Sequence, residues 1–80
     1  MTREKILQQV IKMLSIMTEA VRIEENSALM EDLGISSMDV LALMSGIEEE
    51  FGIVVRERDI RKMSSISDIV DFVESSLRKK

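Results

Sequence analysis

Apolar residues recur at helical spacing three times in this chain, and that recurrence limits the folds open to it. Ile6, Leu7, Val10, Ile11, Leu14 and Met17 keep a 3.6-residue period. So do Val40, Leu43, Met44, Ile47 and Phe51, and again Ile66, Ile69, Val70, Val73 and Leu77. Each stretch predicts an amphipathic helix that must bury one face. With 80 residues there is room for one domain, spanning 1–80, and one core. Ile53-Val54-Val55 is β-branched and reads as extended, but no second strand is available to pair with it. The expectation is an all-α four-helix bundle of three major helices and one short one.

Local signals place the ends. Thr2 is the N-cap of the first helix, which fades near Thr18. Residues 19–36 form a long connection. A connection of that length is either functional or internally packed, and Val21, Ile23, Leu29, Met30 and Leu33 are expected to pin it to the bundle. The second helix runs from Ser37 to Glu50 or Phe51, with Gly52 beyond its end. Gly46 inside it costs about 1 kcal/mol relative to Ala, and either permits close approach of another helix or a ligand or is simply tolerated. A short helix covers Arg56 to Lys62. Ser65-Ile66-Ser67-Asp68 opens the last helix as a capping box, and the basic Arg78-Lys79-Lys80 closes it.

The side-chain inventory excludes much chemistry. There is no Cys and no His. Disulfides, thiol redox chemistry, the commonest general base and the commonest metal ligand are all missing, so no catalytic residue is assigned and an enzyme is disfavoured. No Asp-x-Asp-x-Asp-Gly loop occurs, and no metal site is expected. No stretch approaches the roughly 20 apolar residues that span a bilayer, and the start lacks a secretory signal. The expectation is a cytoplasmic protein with no membrane role. A net charge of −4 disfavours nucleic acid. That charge is uneven: residues 19–50 hold nine acids, Glu19, Glu24, Glu25, Glu31, Asp32, Asp39, Glu48, Glu49 and Glu50, against Arg22 alone. Such a surface is either a solvated helix face or one that meets partners.

One hydroxyl stands out. Ser36 is placed to cap the second helix with Asp39 at N3, which puts Ser37 at N1, projecting from the open end. Free N–H groups and the positive end of the helix dipole would stabilise a phosphate there. Capping serines are common, so from the helix start alone Ser37 reads first as a plain helix-start residue; the anchor of a phosphodiester and a kinase target, with no adjacent basic residue to suggest a particular kinase, are the alternatives.

The stretch Leu33-Gly34-Ile35-Ser36-Ser37-Met38, then Leu43, then Ile47-Glu48-Glu49-Glu50-Phe51-Gly52-Ile53, then Ser65-Ile66-Ser67-Asp68, resembles the acyl carrier protein family. That family shows Leu-Gly-x-Asp-Ser-Leu, a helix ending Leu-Glu-x-x-Phe, and a Thr-Val-x-Asp start to the last helix. The spacing agrees without a gap from Leu33 to Asp68. The resemblance implies that Ser37 receives 4′-phosphopantetheine from coenzyme A through a Mg²⁺-dependent phosphopantetheinyl transferase. The arm's thiol would hold acyl groups as thioesters, so the chain would be a stand-alone acyl carrier, a monomer that catalyses nothing itself. It would deliver cargo to synthases, transferases and reductases of fatty-acid, polyketide or related lipid biosynthesis. Partner contacts would fall on Glu31, Asp32, Met38, Asp39, Leu41, Glu48 and Glu49.

The chain also departs from the family. Ser36 stands where Asp is usual, and Ala42 where many members have an acid. Arg56, Arg58, Arg61 and Lys62 lie where fatty-acid carriers are acidic, which sets a specialised polyketide, lipid or peptide pathway beside fatty-acid synthesis. Two other readings stay open: a peptidyl or aminoacyl carrier, and a helical interaction module with no cofactor. Met44, Ile47 and Met63 are either ordinary core or the lining of a cleft that shelters an acyl chain.

Overall fold

Capping chemistry sets where the helices begin. A computed structural model describes residues 2–18 and 22–79; Glu19, Val21 and Lys80, named above, lie outside the described residues. The Thr2 hydroxyl accepts the Lys5 N–H and opens α1, Arg3–Met17. Ser36 opens α2, Ser37–Phe51, and Gly52 closes it at φ 65°, a left-handed conformation that favours a residue without Cβ. α3 is Glu57–Lys62, with the Asp59 carboxylate accepting the Arg56 N–H at 3.0 Å. α4 is Ile66–Arg78, entered through a capping box between Ser65 and Asp68. The all-α four-helix architecture, three long helices and one short, follows.

The core is the three predicted stripes brought face to face. α1 packs mainly on α4 and also on α2. Ile6, Val10 and Leu14 of α1 meet Ile66, Ile69, Val70 and Val73 of α4, all with no exposed surface. Val40, Leu43, Met44, Ile47 and Phe51 close the core from α2. Burying each such side chain is worth about 1.5–3 kcal/mol, which is what holds helices this short in water. At Gly46 a Cβ would stand 2.8 Å from the terminal methyl of Met13 on α1, the movable end of a flexible side chain.

The long connection is packed, but not wholly as its apolar residues suggest. Leu29, Leu33 and Ile35 are buried and Ile23 packs against the core, whereas Met30 is 57% exposed and pins nothing. Backbone hydrogen bonds staple the segment to the entry of α4. Leu29 N–H donates to the Ser64 carbonyl (2.9 Å), Ile66 N–H to the Ser27 carbonyl (3.2 Å) and Ser67 N–H to the Glu25 carbonyl (2.7 Å). Ala28 and Ser65 form an isolated antiparallel bridge. These bonds satisfy amides that a connecting loop would otherwise leave to water. Ile53-Val54-Val55 lies outside the helices and joins no β-bridge among the described residues.

Two charged residues lock the periphery. Arg3 reaches Glu25 (2.8 Å), Asp71 (2.6 Å) and Glu74 (3.7 Å), joining α1, the connection and α4. Arg3→Ala will lower the urea midpoint in dilute buffer, and the deficit will shrink in about 1 M salt, where exposed pairs are screened. Asp68 Oδ2 accepts the Ser64 N–H (3.0 Å), the Ser65 N–H (3.1 Å) and the Ser64 hydroxyl (3.1 Å). The Ser64 backbone N–H is the main cause holding this carboxyl below its usual range. A depressed folded pKa adds stability above the unfolded pKa, and that increment disappears as pH falls through the folded one. Asp68→Asn will therefore be less stable at neutral pH, and its acid unfolding limb below about pH 4 will be flatter than that of the wild type.

Candidate functional site

Ser36 is held by its own helix. Its hydroxyl accepts the Asp39 N–H at 3.2 Å, and Asp39 Oδ2 accepts the Ser36 N–H at 3.4 Å. The reciprocal pair commits both residues to capping. Ser37, the first residue of α2, is exposed, and its hydroxyl makes no hydrogen bond among the described residues. The N–H groups of Ser37 and Met38 have no intrahelical acceptor, since the first turn of any helix lacks them. Gly34, at φ 65° with open space where a Cβ would project, turns the chain into this start.

Ser37 stands on the edge of a cleft of about 560 Å³. One wall is the stapled segment with Leu29, Met30 and Glu31; another is Val40 and Leu41 of α2. The third is Ile60 and Arg61 of α3, with Met63 beyond it. The lining is mostly apolar, with Glu31, Glu57 and Arg61 as its charged residues, and Glu57 and Arg61 pair at 3.0 Å. Of the three residues offered as cleft lining from the sequence, Met63 takes that place. Met44 and Ile47 do not: at 2% and 0% exposure they are ordinary core, because their side of α2 faces the bundle and not α3. Sequence reasoning missed Met30, Ile60 and Arg61 as lining. Ile60 carried a readable signal, being the one apolar residue in Glu57–Lys62.

The expected partner residues divide into three groups. Glu31 and Leu41 share the cleft with Ser37, and Met38 follows it in the chain. Met38 is 79% exposed and Leu41 55%, an apolar surface beside the hydroxyl. Asp39 is the N3 member of the capping box, its Oδ2 accepting the Ser36 N–H, and Asp32 Oδ2 accepts the Ala28 N–H at 2.7 Å. Glu48 and Glu49 are not brought to the cleft. They lie 11 and 12 residues along α2, about 17 Å away at 1.5 Å per residue. Glu49 is exposed, but Glu48 is half-buried and does not simply face solvent: its Oε2 accepts the Val55 N–H at 2.9 Å and anchors the segment before α3. Among the described residues no group of three or more acidic, His or Cys side chains is arranged to hold a metal ion. No helix among them is long and apolar enough to cross a membrane.

Residues 4–73 match a family model described as a phosphopantetheine attachment site. The chain is 36% identical over 77 residues to an acyl carrier protein of Campylobacter hominis, covering 96% of this chain and 95% of that one. It is 33% identical over 78 residues to an acyl carrier protein of Thermotoga maritima, covering 95% and 96%. A crystal structure of an acyl carrier protein from Thermotoga maritima superposes with a TM-score of 0.83 at 25% identity, covering 96% of this chain and 92% of that one.

Proposed function

The chain belongs to the acyl carrier protein family, with 4′-phosphopantetheine as its cofactor, and on that premise we propose that Ser37 is the residue that holds it. Members of this family are carriers and not catalysts. The cofactor-free module weighed from the sequence is set aside by the family match, and the acyl relatives disfavour an aminoacyl cargo.

One observation carries the choice of serine: the Ser36 oxygen is engaged in the capping box, whereas that of Ser37 is exposed and unengaged at the open end of α2. The site fits the group. A phosphodiester on Ser37 meets two unpaired N–H groups and the positive helix end, with an apolar cleft alongside. The arm supplies the thiol that the chain lacks. A phosphopantetheinyl transferase moves the group from coenzyme A, the hydroxyl losing its proton as the new phosphorus–oxygen bond forms. The 1–80 chain then acts as one monomeric carrier domain, serving enzymes that build and use acyl thioesters in fatty-acid or related lipid synthesis.

Partners meet the end of α2 through Met38 and Leu41, with Glu31, Asp32, Asp39, Glu48 and Glu49 supplying negative charge. Charge of this kind speeds encounter and selects partners while leaving release fast.

Incubation with coenzyme A, Mg²⁺ and a promiscuous transferase, followed by intact mass and fragment mapping, tests the assignment. One added group on the peptide bearing Ser37, localised to that residue, is the expected result. A group on Ser36, or none, overturns it.

A further inference from the structure

Five large apolar side chains are exposed among the described residues: Ile16, Met30, Met38, Leu41 and Val54. Three of them gather at one end of α2. Met30 and Leu41 line the cleft beside Ser37, and Met38 follows Ser37 in the chain. Two of those three are thioethers, 57% and 79% exposed, whereas Met44 and Met63 are sealed at 2% and 6%. Met13 and Met17 are half-buried. With no Cys in the chain, methionine is its only sulfur. The most exposed methionines among the described residues therefore lie beside the hydroxyl assigned to the arm.

A peroxide oxidises a thioether by oxygen transfer. The sulfur gives up two electrons and gains one oxygen, the O–O bond breaks, and the peroxide leaves as water or an alcohol. An apolar contact becomes a polar, strongly accepting one. In the free carrier, water solvates the new oxygen and the fold is untouched. When a protein docks, that water must be stripped away, and an unmatched polar group at the contact weakens it. Oxidation at these positions thus acts on recognition and spares the core.

We propose that Met30 and Met38 are a peroxide-sensitive modification site, and that their sulfoxidation slows transfer of the arm to Ser37 reversibly. The proposal rests on Ser37 being the attachment residue.

The test begins with the arm-free protein, exposed to hydrogen peroxide and then cleared with catalase. Peptide mass mapping will show one added oxygen at Met30 and at Met38 before Met44 or Met63. Initial loading from coenzyme A will fall at least about fivefold, with the thermal midpoint unchanged. Methionine sulfoxide reductases will restore the rate. The Met30→Leu/Met38→Leu variant, compared with its own untreated rate, will lose little on peroxide treatment.

Undiminished loading of treated wild type overturns the proposal alone. So does equal slowing in the double variant, earlier oxidation of the core methionines, or a falling melting point. If untreated protein takes up no group, or takes it up away from Ser37, the premise fails and the proposal fails with it.

Discussion

Ser37→Ala will remain folded and take up no phosphopantetheinyl group, while Ser36→Ala will load and be less stable. The two serines are neighbours with opposite duties. The Ser36 oxygen satisfies the Asp39 N–H, and its own N–H is satisfied by the Asp39 carboxylate. Truncating it leaves a helix-end donor without a partner and should cost about 1 kcal/mol. The Ser37 oxygen makes no hydrogen bond among the described residues, and Ala suits a helix start, so its removal should change stability by no more than about 0.5 kcal/mol. Urea unfolding and intact mass on the same two variants give a crossed result that neither a general folding defect nor indifferent labelling of both hydroxyls imitates. Loading of Ser37→Ala together with failure of Ser36→Ala would show that the register is off by one.

Ile69→Ala will cause the largest loss of stability. Ile69 has no exposed surface and sits where α4 meets α1. Truncation removes transfer free energy and leaves a void, typically about 2–5 kcal/mol. A domain of 80 residues commands only about 4–12 kcal/mol in total. The melting temperature should fall by at least about 8 °C, given about 4–8 °C per kcal/mol at this size. Ile16, 82% exposed, is the control, and Ile16→Ala should move the midpoint little. Far-ultraviolet circular dichroism is the right probe, since the chain has no Trp or Tyr. A drop below about 1 kcal/mol for Ile69→Ala would mean that α4 is not seated on α1 as described.

Most of this architecture can be read from residue order, and the reason is local. A helix declares itself through spacing, and its start through a capping residue followed by an acid. Thr2, Ser36 and Ser65 all cap as expected, Asp39 and Asp68 answer at N3, and the three apolar stripes form the core. Ser37 follows from Ser36 by counting one residue.

What stayed hidden is non-local. The staples from residues 25–29 to residues 64–67 run between backbone groups, which every residue possesses, so no pattern of side chains announces them. Periodicity says that Met44 and Ile47 share an apolar face, but not which helix that face meets. Met30 is apolar and yet faces the cleft opening, a placement decided by the staple at Leu29. Glu48 looked like one more surface charge because its acceptor role depends on where the chain returns after Gly52.

That carboxylate fixes where the chain goes once the long helix has ended. By accepting the Val55 N–H at 2.9 Å it moors the run that leads into α3, and residues of α3 form one wall of the cleft beside Ser37. The placement of that wall thus owes one of its ties to an acid that lines no part of it.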